Sequence, residues 1–141
     1  MSYLSSDFPD GFVGVNEHLG IRVVDASPDK VVMSVEVGPT VHQPFGQLHG
    51  GVSALLAESA ASLGATIAVW PDQVAVGTEL NCSHLRPMIS GTLTATATPL
   101  RKGRSVHVWN IDLTDDDGRL ICAARCSLHI MAAPPREQDT P

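Results

Sequence analysis

The chain has 141 residues, 43% of them hydrophobic, 17% charged and only 4% aromatic, with a formal net charge of −6. That length and balance suit one globular domain with an aliphatic core and exclude a disordered chain. The acidic charge argues against nucleic acid as the main partner, because neutralising phosphates needs a basic face. In chain order, residues 1–8 have neither a basic start nor a long apolar run, so they do not read as a signal peptide. No run of about 18 apolar residues marks a membrane span, and no membrane partner is expected. Three cysteines, Cys82, Cys122 and Cys126, make an odd count that fits free thiols in a reducing compartment, hence the cytoplasm.

Residues 10–18 predict a short helix, with Asp10 as N-cap and Phe12, Val13 and Leu19 turned inward. Strand-like runs at 21–25 and 31–37 flank a turn at 27–30, Ser-Pro-Asp-Lys. A loop with two prolines follows at 38–48. Residues 50–69 are rich in Ala and Leu and predict a long helix. It is apolar nearly all round, with Val52, Leu55, Leu56, Leu63 and Ile67 on one side, so it should be buried. Trp70-Pro71 stops it. Four strands are expected at 74–85, 92–100, 105–114 and 119–131, the last two joined by the turn Asp115-Asp-Asp-Gly118. The economical arrangement is α+β, an antiparallel sheet wrapped around one long central helix. Residues 1–131 form a single domain in this reading, and 132–141 a flexible tail.

One charge interrupts the central helix. Glu58 has Ala54, Leu55, Ala61 and Ser62 as helical neighbours, where a carboxylate is expensive to desolvate unless it is paired or used. It either faces a solvent gap or a strand arginine, or serves as a nucleophile or general base. Ser62, one turn on, is placed to hydrogen-bond it or to orient a water. The helix opens on Gly50-Gly51, where free N–H groups and the positive end of the helix dipole suit a developing oxyanion. Gly50 and Glu58 are eight positions apart, about 12 Å of rise. They cannot both meet one carbonyl from a single chain. If both are catalytic, a second helix runs antiparallel beside the first, and the protein is a two-fold homodimer with shared sites. Gln43 offers an amide donor in the preceding loop, and His49 sits just before the helix. Leu100-Arg-Lys-Gly-Arg-Ser105 gathers three cations around a glycine, either a solvated hairpin tip or a phosphate clamp to which Arg86 adds. The six histidines show no metal spacing, and no metal or cofactor is expected.

The string from His42 to Ser62, His-Gln-Pro-Phe-Gly-Gln-Leu-His-Gly-Gly followed by Ala-Glu-Ser, resembles the signature of hotdog-fold thioesterases of the PaaI-like group. It is most similar to the 1,4-dihydroxy-2-naphthoyl-CoA hydrolases and the Arthrobacter-type 4-hydroxybenzoyl-CoA thioesterases. The similarity runs from about Gly20 to Met131. It implies a cytoplasmic acyl-CoA thioesterase, a homodimer at least and usually a homotetramer built as a dimer of dimers, with coenzyme A entering as part of the substrate. It implies that Glu58 is the catalytic carboxylate, that the Gly50 N–H polarises the carbonyl, and that Gln43 and His49 position the thioester and help the thiolate leave. Ser62 orients the hydrolytic water. Gly77, His84, Leu85, Arg86 and Pro87, with Arg101, Lys102, Gly103, Arg104, Ser105 and Val106, line the CoA and acyl sites. Two rivals use the same pocket: a hotdog dehydratase or hydratase, which usually needs a histidine paired with a helix carboxylate, and a non-catalytic acyl-CoA-binding protein.

Overall fold

A computed structural model describes residues 14–135. The expected N-cap Asp10, with Phe12 and Val13, and most of the expected C-terminal tail lie outside the described residues. The first helix, α1 (Val15–His18), is a single turn with Gly14 as its N-cap, so it starts later than the expected 10–18: the left-handed Gly14 backbone, φ 113°, cannot lie inside a helix. It ends at Leu19, which packs partly buried on the core. β1 (Arg22–Ala26) and β2 (Val31–Val37) form the first hairpin. Ser27 closes its turn, its Oγ accepting from the amides of Asp29 and Lys30 at 3.3 and 3.0 Å. The next segment, expected as plain loop, holds a 3-10 turn (Pro39–Val41). Proline suits its first position, where no N–H is needed and φ is already set.

The long helix α2 (Gly50–Val69) matches its expected bounds. β3 (Gln73–His84), β4 (Gly91–Lys102), β5 (Val106–Thr114) and β6 (Leu120–Ala132) fall close to the expected strands. All six strands pair antiparallel in the order β1-β2-β4-β5-β6-β3. β3 therefore forms an outer edge of the sheet beside β6. Period-two alternation sorts the sheet faces. On β4, Leu93, Ala95 and Ala97 are buried toward α2, while the intervening threonines lie on the other face.

The buried side of α2 is mostly small residues, four alanines with Ser53 and Gly64, which lets the helix axis approach the sheet closely. The closest approach is at Gly64. A Cβ there would overlap the Trp109 ring and come within 3.0 Å of Val31 Cγ2. One sheet covers one side of a helix only. Val52, Leu55 and Leu63, expected inside, are accordingly just half-buried within one chain. By length and composition α2 reaches the range of a membrane span, with a mean hydropathy of 1.6, against the expectation that no such run exists. Its valines, leucines and isoleucine supply most of that hydropathy, and its packing against the sheet makes it the core helix.

Two rows across the sheet locate everything that follows. Lys102 pairs with His107, His107 with Leu128, and Leu128 with Gly77. Nearer the other end, Ala95 pairs with Leu113, Leu113 with Cys122, and Cys122 with His84.

Candidate active site

The start of α2 is built by His49. It is the N-cap, and its Nδ1 accepts the Gly51 amide at 2.8 Å. The Val52 and Ser53 amides both turn back to the His49 carbonyl, at 3.0 and 3.4 Å. Among the described residues, that leaves the Gly50 N–H without an acceptor, at the positive end of the helix dipole. The Gly50 Cα is covered by the His84 ring, whose Nε2 lies 3.0 Å from where a Cβ would stand. The absence of a side chain at 50 lets an imidazole and an open amide share one small space.

Gln43 adds a second donor. Its Oε1 accepts the Phe45 amide, so its NH₂ is the end left to bind something else. The loop holding it is fixed at both ends. The Gln43 amide donates to the Gln47 carbonyl at 2.7 Å, and the Leu48 amide to the Met88 carbonyl at 2.7 Å. Gln43, Gly50, His84, Leu85, Arg86 and Pro87 border one open cleft of about 510 Å³. Six of the expected residues are thus brought together. Gln47 and Ser53 also line the cleft and were missed, although Gln47 stands inside the signature string and Ser53 one turn beyond His49.

Glu58 lies elsewhere. Its carboxylate presses on Gly77, where a Cβ would collide with Oε1 and come 2.9 Å from Cδ. Gly77 opens a β-bulge: it pairs with Leu128 and Glu79 with Ser127, leaving Thr78 to donate its hydroxyl to the Ser127 carbonyl at 3.1 Å. Beyond the bulge the alternation shifts by one, and Leu80, Cys82 and His84 take the helix-facing positions. Glu58 is half-buried and has no ion pair or side-chain hydrogen bond among the described residues, so the strand-arginine alternative is not what the fold provides. Its charge reaches two thiols. Burial first, and then the Glu58 carboxylate, push the Cys126 thiol up to about 12. Cys82 is raised by burial, with a smaller contribution from Glu58. Sequence reasoning missed this thiol lining, because the bulge hides which face Cys82 takes. Ser62 is half-buried one turn on and makes no side-chain hydrogen bond among the described residues.

The basic turn is a third, separate group. Arg101 and Arg104 are exposed and carry no ion pair among the described residues, but Lys102 is not a free cation. Its Nζ sits 2.7 Å from Asp29 Oδ1 in the β1–β2 turn, because β2 and β4 are adjacent and bring the two turns together. This tip lies just beyond the row of Gly77, whereas Arg86 follows His84 in the other row, so one chain does not join them into a single clamp. No group of three or more metal-ligating side chains occurs among the described residues.

Residues 45–122 match the family model described as the thioesterase superfamily. A 1,4-dihydroxy-2-naphthoyl-CoA hydrolase of Listeria monocytogenes is 44% identical over 118 residues, covering 84% of this chain and 96% of that one. The chain belongs to the thioesterase superfamily. Among solved structures, a thioesterase of Haemophilus influenzae superposes with a TM-score of 0.83 at 36% identity, over 89% of this chain and 87% of its own. A Staphylococcus aureus protein, solved as a glutamate-to-alanine variant, superposes with a TM-score of 0.81 at 34% identity, over 85% of this chain and 100% of its own. The hotdog fold and thioester hydrolase activity follow from this membership. Within the fold, the cleft holds the open amide of Gly50, and the carboxylate of Glu58 lies apart from it, against Gly77.

Proposed function

We propose that this thioesterase hydrolyses an aromatic acyl-CoA to the free acid and CoA, at two equivalent sites each built by two copies of the chain. The observation that carries the reading is the separation just described: an unaccepted amide at Gly50 and an unpaired carboxylate at Glu58, eight residues apart on one helix. Among the described residues, β3 is an edge strand with a free side. Antiparallel pairing of two β3 edges about an axis near Leu80 and Asn81, midway between Gly77 and His84, sets Glu58 of one copy against Gly50 of the other. The same operation puts the first copy's Arg101–Arg104 tip at the end of the sheet that holds the second copy's cleft, about three strand spacings or 14 Å away. The half-buried side of α2 supplies apolar surface for a dimer of dimers.

In this site the Gly50 N–H and the Gln43 amide hold the thioester oxygen as negative charge develops on it. Glu58 of the other copy attacks the carbonyl carbon to form a mixed anhydride, or takes a proton from an attacking water. The C–S bond breaks, and the CoA thiolate leaves. Ser62 orients the water, and Arg101 and Arg104 receive CoA phosphates. Support for the carboxylate and the amide comes from their spacing. The Staphylococcus aureus protein was also solved with a glutamine replaced fifteen residues before the replaced glutamate, the separation of Gln43 and Glu58 here. Support for an aromatic acyl group comes from the name of the Listeria relative.

Thiol release from a panel of benzoyl-, hydroxynaphthoyl-, phenylacetyl- and straight-chain acyl-CoAs tests the reaction and the acyl class together. Glu58→Ala should lose about 10³-fold or more in turnover. Refolding Glu58→Ala mixed with an equally impaired Gln43→Ala tests the shared site. Random association makes half the dimers mixed, each with one intact site, and recovers about a quarter of wild-type activity. No recovery would place both groups in one chain's site.

A further inference from the structure

The face of the sheet turned away from α2 is polar across its middle, where Asn81, Arg125 and Asn110 stand side by side on β3, β6 and β5. Toward the basic tip the character changes. Val76 pairs with His129 and His129 with Val106, and each is flanked in its own strand by a buried residue, so all three share the outer face. Val76 is 42% exposed and Val106 45%, and the exposed His129 ring has no hydrogen bond or ion pair among the described residues. A single exposed valine needs no explanation. Two of them flanking an unpartnered imidazole, on a sheet face that is otherwise polar, make a short strip of mixed character.

Both ends of the strip lead to groups already described. At the β5 end, the Gly103 amide donates to the Val106 carbonyl at 2.9 Å, and the Ile130 amide, next to His129, donates to the Ser105 carbonyl at 2.9 Å. The strip therefore runs into the turn that carries Arg101 and Arg104. Arg101 is on the same side, since it pairs with Val108, which alternates with the buried His107 and Trp109. At the β3 end, the pairing of two copies that sets Gly77 against His84 also sets Val76 against Leu85, which borders the cleft and is 54% exposed. From Leu85 of the other copy to Val106 is three strand spacings, about 14 Å.

We propose that Val76, His129 and Val106 form the track of the pantetheine arm, between the cleft of one copy and the arginines of the other. This rests on the two-copy site and on the tip as receiver of CoA phosphates. The arm has about thirteen bonds from the sulfur to the first phosphorus, and at about 1.2 Å per bond it extends to roughly 16 Å, enough to span the strip with little slack. Its chemistry alternates as the strip does. A dimethyl-substituted carbon suits contact with valine, and two amides offer donors and acceptors to an imidazole.

Three thioesters of one acyl group test this, carried on CoA, on pantetheine, which lacks the nucleotide and its phosphates, and on N-acetylcysteamine, which ends before the dimethyl carbon. His129→Ala and Val76→Asn change exposed side chains, and either variant that folds is sufficient. Each should lower kcat/KM about tenfold for the CoA and pantetheine thioesters and leave the N-acetylcysteamine thioester unchanged. A loss confined to the CoA thioester would assign the strip to the nucleotide, an equal loss for all three would make it structural, and no loss would put the arm elsewhere. Each of those results overturns the proposal. Arg104→Ala tests the reading beneath it and should lower kcat/KM for the CoA thioester alone. If it spares that thioester, the tip does not receive the phosphates, and the track stands or falls on the pantetheine comparison. The mixed refolding of Glu58→Ala with Gln43→Ala reads the two-copy site independently of both.

Discussion

The two ends of the stretch of α2 from Gly50 to Glu58 are built on opposite principles. At Gly50 the helix leaves a backbone donor open, next to a cleft with a mobile kind of neighbour, the tip of a histidine ring. At Glu58 a charged side chain is pressed on backbone, in a gap made by a missing Cβ and a β-bulge. The first end tolerates adjustment, because a ring can turn. The second does not, because the atoms facing the carboxylate belong to a strand held on its inner side by β6. The difference teaches that a glycine can be required for two unrelated reasons, to leave a donor accessible or to leave room for an acid.

Paired substitutions sharpen that contrast. Gly77→Ala drives a methyl into the Glu58 carboxylate and must displace it. A misplacement on the order of 1 Å costs about 10²-fold in rate. The prediction is a loss of that size in kcat with an unchanged melting profile. Gly50→Ala keeps the N–H and asks only that His84 swing aside, so its loss in kcat should be about tenfold at most. Equal losses at the two positions would erase the distinction, and single-substrate kinetics with circular dichroism checks it.

Gly64 extends the comparison away from the chemistry. It too lacks a Cβ for reasons of space, but its neighbours are Trp109 and Val31 in the closed core. Gly64→Ala gains helix propensity of up to about 1 kcal/mol and loses about 1–3 kcal/mol to overpacking. The net expectation is a lower Tm with kcat unchanged in the folded fraction, read by thermal unfolding beside thiol release.

Much of this was legible in the sequence. The helix bounds, the number of strands and both catalytic candidates follow from periodicity, from the glycine pair and from a lone charge at 58. The argument for a second copy needed only the rise per residue. Legibility stopped where the outcome depended on what lies across the sheet. Strand order decides that Lys102 meets Asp29 instead of solvent, and no local pattern encodes that adjacency. The bulge at Thr78 shifts the alternation by one residue, so a period-two count through β3 puts Cys82 and His84 on the wrong face. The 3-10 turn was hidden because Pro39 at its start and Pro44 beyond it read equally well as loop.

The thiols give the smallest predicted effect and bear on the Glu58 end alone. Burial pushes Cys122 and Cys126 up to about 12, with Glu58 adding to Cys126 and the neighbouring Cys82 to Cys122. A thiol reacts as thiolate, and at pH 8 a group with a pKa near 12 is ionised to about one part in 10⁴. Native protein should therefore show at most one thiol, Cys82, reacting slowly with a colorimetric reagent, and all three after unfolding in urea. Removing the carboxylate in Glu58→Gln takes away one of the influences that hold Cys82 protonated, so its labelling should quicken modestly while Cys122 stays silent. Unchanged labelling of Cys82 would mean that the carboxylate in solution points away from the thiols.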